Sequence, residues 1–139
     1  MNERALRAAA LALALAGAVI TVYMISVRYG DARLLCTTGG CATVQSSSYA
    51  EVLGVPVAVL GLITYVLIGA TVLAHGPVAR AAGASLALAG VVFSAYLLVI
   101  QVAVIDAVCD WCLASDGIMT ALALVMLMLL RGSVRWTAA

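Results

Sequence analysis

Lysine is absent from this chain, histidine occurs once, and charged residues of every kind make up 9% of it. A typical globular domain carries about 25%. That scarcity excludes an ordinary water-soluble fold, because too little polar surface exists to cover one, and the surplus apolar surface has to face lipid. The seven basic residues are all arginines and form no stripe, so the net charge of +1 offers nucleic acid nothing to bind. No internal repeat or low-complexity linker divides the chain, and 139 residues leave room for one domain, residues 1–139, without a further soluble one.

What is present, at 66% hydrophobic residues, is four apolar runs: Arg7–Val27, Val55–Ala74, Ala84–Ile105 and Leu113–Leu130, the last on a helix that begins near Asp110. Each approaches or exceeds the roughly 18 to 20 helical residues that cross about 30 Å of hydrocarbon. The first run has the charged start of a signal peptide, but it is longer than the usual apolar core of about 7–15 residues, and three more spans follow. It reads as an uncleaved first helix. The fold expected is therefore all-α, a bundle of four transmembrane helices.

Charge orients the bundle. Arg4, Arg7, Arg80, Arg131 and Arg135 lie at the two termini and in the second connection, which an even number of spans places on one side. The other side receives Arg28 and Arg33 together with Asp31, Glu51, Asp106, Asp110 and Asp116. The positive-inside bias makes the arginine-rich side cytoplasmic. Local signals agree with these boundaries. Pro56 suits the first turn of the second helix, and "GPVARAAG", 76–83, reads as a tight connection. Gly61, Gly69, Gly83, Gly90 and Ser94 are small residues that let helices approach closely. In the outer loop, Ser48 and Glu51 have capping-box spacing, which predicts a short surface helix there.

The four cysteines all fall in that outer region: "CTTGGC", Cys36 to Cys41, and "CDWC", Cys109 to Cys112. This is the side on which disulfides persist. Two inert structural disulfides, a four-thiolate zinc site and two redox-active pairs compete as explanations. The spacing favours the last. A C-x-x-C loop is too short for a structural bridge to gain much from closing it. A helix beginning at the motif also offers its unpaired N–H groups to a thiolate. The first pair, on a glycine-rich loop, supplies the mobile partner that a thiol relay needs.

The stretches "CTTGGCATVQSSSYAEVLGVPVAVLGLITYVL", "AGVVFSAYLLVIQ" and "CDWC" resemble the vitamin K epoxide reductase family, in particular its bacterial homologues, over nearly the whole chain from Cys36 onward. The motif set comprises the loop pair, C-x-x-V-x-x-S from Cys41 to Ser47, G-x-P before the second helix and C-x-x-C after the third. The resemblance implies a four-helix bundle around a quinone (menaquinone, ubiquinone or another vitamin K-type quinone) in the bacterial cytoplasmic membrane. It implies reoxidation of an extracytoplasmic thioredoxin-fold, DsbA-like partner acting in trans. It leaves open whether vitamin K or its epoxide is a further substrate. Cys36 and Cys41 match the loop pair, Cys109 and Cys112 the active-site pair with Cys112 beside the quinone, and Ser47 the serine that hydrogen-bonds a quinone oxygen.

Other residues are read individually. Trp111, between the reactive thiols, is the aromatic assigned to the quinone site, whereas Tyr49, Tyr65, Phe93 and Tyr96 read as packing or interface residues. His75 reads as a solvated loop residue. Asp110, inside the motif, is expected to disfavour thiolates through its charge. Asp116 lies one turn beyond Cys112 on its face, and an acid so near the bilayer is a functional candidate. Cys109 and Cys112 are expected at the mouth of the bundle, open to a small dithiol.

Overall fold

Asn2 starts the first helix by accepting the Ala5 N–H on its side-chain oxygen at 2.8 Å, which satisfies one of the first-turn donors. Helix α1 runs Glu3–Tyr29, and Leu6, Ala10, Ala14, Gly17, Thr21 and Met24 recur along it at helical spacing to make its buried face. In this computed structural model residues 2–30, 35–37 and 39–138 are described. Asp31 and Arg33, counted above toward the charge balance, lie outside the described residues. A short helix α2, Cys41–Ser46, and a 3₁₀ turn, Ser48–Ala50, lead into a two-stranded hairpin, β1 Glu51–Val52 with β2 Val55–Pro56. Then come α3, Val57–Ala74, and α4, Pro77–Val99, which continues as a π-helical turn through Ile105; α5 runs Asp110–Ala138.

Four of these helices are long and apolar enough to cross a membrane: Glu3–Tyr29, Val57–Ala74, Pro77–Ile105 and Asp110–Ser133. Leu15, Val19, Val66, Leu67, Val92 and Leu124 point outward, as lipid-facing positions should. The core is the opposite: Tyr65 and Ile68 of α3, Ala87 of α4, and Leu122 and Met126 of α5 pack around the alanines of α1. Small residues set the helix separation. A Cβ on Gly17 would lie 2.2 Å from the Tyr65 ring, so the ring seats directly on the α1 backbone. Gly83 and Gly90 receive Met126 and Met119 in the same way, in keeping with their reading as packing positions.

The chain runs up, down, up and down. At one end Arg7 donates to the Val72 carbonyl and Arg80 pairs with Glu3, tying the starts of α1 and α4 to the end of α3. Cys36, Cys41, Cys109 and Cys112 cluster at the other end. Several local expectations need correction. The third membrane helix begins at Pro77, because proline at the first helical position needs no N–H and the alanines after it favour helix. The connection is thereby reduced to His75 and Gly76, and Arg80 sits in the first turn of α4. Pro56 ends the hairpin one residue before α3. The capping box does not form, since Glu51 pairs with Arg28 instead. The short helix of the loop is Cys41–Ser46, upstream of where the capping signal placed it.

Candidate active site

Cys109 immediately precedes α5, and its carbonyl accepts the Leu113 N–H at 3.0 Å, closing the first turn. Its own N–H donates to Gln101 Oε1 at 2.9 Å. Gln101 reaches it from the π-helical turn, whose end is made by Asp106 in the left-handed region, with the Ala107 N–H returning to the Gln101 carbonyl at 3.1 Å. Asparagine and aspartate tolerate that conformation better than most residues. Cys109 is thus held at a helix N-terminus and fully buried. Its thiol is pulled down from the ordinary 9.0 to about 7, first by the Cys112 thiol donating to it. The Cys112 and Trp111 N–H groups and Gln45 act in the same direction, against burial. Asp110 does not prevent this, because its carboxylate turns away to the loop.

The loop sits on this helix head. Cys36 and Cys41 form a disulfide, with their Cα atoms 6.0 Å apart, while Cys109 and Cys112 are free. Cys41 and Cys109 are packed in one buried cluster with Met24 and Val44, and Cys36, Cys112 and Trp111 lie at its edge. Asp110 Oδ2 accepts the Thr37 N–H at 2.8 Å and also the Thr37 hydroxyl. Trp111 donates its indole N–H to the Leu35 carbonyl at 2.5 Å. Arg28 holds α2 from α1, donating to the Gln45 carbonyl at 3.0 Å. Under this cover Cys109 is closed to a small dithiol, contrary to the expectation from sequence.

Beneath the helix head lies a cavity of about 910 Å³ of atom-free space, its open mouth included. Its walls come from α3, α4 and α5 with contributions from α1 and the loop, and they are largely apolar: Met24, Val57, Leu60, Phe93, Leu97 and Met119 among others. Polar side chains also face it, among them Gln45, Gln101, Ser94 and Asp116. Cys112 is the one cysteine in the lining, and Gln45 Nε2 donates to its sulfur at 3.7 Å. One turn further along α5, Asp116 Oδ2 is buried with no hydrogen-bond partner among the described residues, with Ser94 beside that carboxyl group. Tyr65 hydroxyl donates to the Ser115 carbonyl at 2.8 Å and fixes this part of the wall.

The four sequence-assigned cysteines converge, and Cys112 and Asp116 share the cavity. The other two assignments sit elsewhere. Ser47 hydroxyl donates to the Val44 carbonyl at 2.8 Å and is not in the lining; Gln45, two residues before it, is. Trp111 is likewise outside the lining, packed on Tyr23 in a tilted arrangement with ring centroids 4.8 Å apart, and bonded to the loop. Tyr49, Tyr65 and Phe93, read as packing or interface residues, do line the cavity. Gln45 and Gln101 were missed. A glutamine inside an otherwise apolar helix was the signal available for Gln101, since a buried amide needs a partner.

The family model described as "Vitamin K epoxide reductase family" matches residues 8–127 of the chain. Among curated proteins none matches it significantly. The chain therefore belongs to the vitamin K epoxide reductase family, and that membership makes it a membrane thiol–disulfide oxidoreductase.

Proposed function

We propose that this family member carries electrons from a reduced thioredoxin-fold protein outside the membrane to a quinone (menaquinone, ubiquinone or vitamin K type) bound in the cavity. The observation that carries the reading is the division of the C-x-x-C pair. Cys112 opens onto a largely apolar cavity between the membrane-spanning helices, while Cys109 shares a buried cluster with Cys41 beneath the loop. One thiol of the motif thus faces an apolar ligand and the other faces a disulfide. The five arginines at the opposite end support placing the cysteines on the outer face of a bacterial cytoplasmic membrane, with both termini inside.

Burial orders the exchanges. Cys36 is half-buried and Cys41 fully buried, so a protein thiolate attacks Cys36, breaks the Cys36–Cys41 bond and releases Cys41. The partner's second thiol closes its own disulfide and frees Cys36. Cys41 thiolate then attacks Cys109 of the oxidised motif, expelling Cys112 as thiolate, and Cys36 attacks Cys41 to restore the loop disulfide. Two electrons now rest on Cys109 and Cys112. This is the redox state of the present structure, with the loop pair bonded and the motif free. They leave with two protons to the quinone, and the motif returns to a disulfide. Gln45, donating to Cys112 sulfur, steadies charge on it. Asp116 would stand next to the ligand, whose oxygen would supply the partner that its buried Oδ2 lacks among the described residues.

The test is purified protein, a reduced thioredoxin-fold dithiol and a short-chain quinone, with quinone absorbance followed over time. Quinone loss that disappears in Cys112→Ala is expected. Turnover at the parent rate in that variant would refute the assignment.

A further inference from the structure

The two residues enclosed by the C-x-x-C motif do not face the cavity. Both reach the loop, and they bracket Cys36: Trp111 holds the Leu35 carbonyl on one side, and Asp110 holds the Thr37 N–H and hydroxyl on the other. The Leu35 N–H donates in turn to the Tyr23 hydroxyl at 3.2 Å, and the Tyr23 ring packs at a tilt against Trp111. A third point of contact lies at the far end of the disulfide. A Cβ on Gly40 would fall 2.4 Å from the Val108 carbonyl oxygen and 2.8 Å from its nitrogen. Gly40 has an ordinary right-handed conformation, so glycine is required there by space alone. The residue before Cys41 is therefore pressed backbone to backbone against the residue before Cys109.

We infer that Asp110 and Trp111 are positioning residues that seat the loop disulfide on the C-x-x-C turn, with Gly40 as its point of closest approach. The seat does two things. It keeps Cys41 and Cys109 in one buried cluster, so that their exchange is intramolecular and gains the effective concentration of an oriented pair. It also covers Cys109 completely, so that small thiols and oxidants cannot bypass the loop. The Asp110 carboxylate suits the task because it stands in the first turn of α5, where the helix dipole favours negative charge. Its oxygen accepts two hydrogen bonds from one residue, a geometry that an amide oxygen can also satisfy.

The inference depends on the relay reading only for its second readout, so the two can fail separately. The first readout is the rate of maleimide labelling at Cys109, located by mass spectrometry, in the full chain with the loop disulfide closed and Cys112→Ser as background. Asp110→Ala and Gly40→Ala should each label at least about tenfold faster than that background, because each opens the seat. Asp110→Asn should stay near it, since its amide oxygen still accepts from Thr37. Unchanged labelling in both the Asp110→Ala and Gly40→Ala proteins would overturn the inference, as would an Asn variant as exposed as the Ala variant. The second readout restores Cys112 and compares electron donors. Oxidation of a thioredoxin-fold dithiol should fall at least about tenfold in Asp110→Ala and Gly40→Ala, whereas quinone reduction driven by dithiothreitol should not fall. Equal loss of both activities would mark the contacts as general scaffolding and refute the seat. If the parent protein reduces no quinone at all, the relay reading fails while the labelling still decides the seat.

Discussion

The acidity of Cys109 gives a sharp test, because one neighbour dominates it. With its thiol lowered from 9.0 to about 7, about half of Cys109 is thiolate at pH 7, against about 1% for an unperturbed thiol, a difference of about fiftyfold. Expressed as free energy, fiftyfold is about 2 kcal/mol. The largest cause is the Cys112 thiol hydrogen bond, with burial opposing it. Cys112→Ala removes the donor and keeps the burial, so the midpoint should move up toward 9.0; Cys112→Ser keeps a donor and should stay nearer 7. The sign for stability follows from linkage. An acid with a depressed folded-state pKa stabilises the fold fully above its unfolded value of 9.0, and that contribution is lost as pH falls through about 7. Alkylation of Cys109 across a pH series, with the loop disulfide closed and the modified peptide identified by mass spectrometry, gives the midpoint. Cover by the loop slows every point alike and leaves the midpoint intact. An Ala variant that still titrates near 7 would refute the argument, assigning the acidity to the backbone N–H groups of the helix head.

Gln45→Leu, which removes the donor to Cys112 sulfur, should slow quinone reduction about tenfold, whereas Ser47→Ala should have a smaller effect because its hydroxyl is spent on Val44; the reverse order would restore Ser47 to the quinone site. Asp116→Asn, which cannot release a proton, should lower kcat by about 10²-fold or more with little change in KM and should flatten the pH profile; an unchanged profile would leave Asp116 as a binding group. Gln101→Leu strands the buried Cys109 N–H and should cost about 1–3 kcal/mol, read as a lower Tm in detergent; an unaltered Tm would mean the N–H finds another partner. Membrane-impermeant maleimide should label reduced Cys36, the less buried of the loop pair, in whole cells or spheroplasts; labelling only after lysis of the inner membrane would invert the orientation.

The span count and the reactive chemistry were legible in the sequence because both depend on composition and short-range spacing. Four apolar runs with 9% charge can only be membrane helices, and a C-x-x-C at a helix start brings its own N–H groups to its sulfur. Boundaries were less legible where one residue has two uses. Pro77 and the alanines after it fit a turn or a helix start equally well until packing decides. What only the tertiary structure decided is which side chain meets which. Ser47 carries the family's motif, yet the turn of α2 presents Gln45 to Cys112 and spends Ser47 on its own backbone. Asp110 and Trp111 lie between two thiols in sequence, but their partners, Thr37 and Leu35, are more than seventy residues away. No local pattern records such contacts, since a hydrogen bond across that separation exists only after the bundle has brought the loop and the fourth helix together.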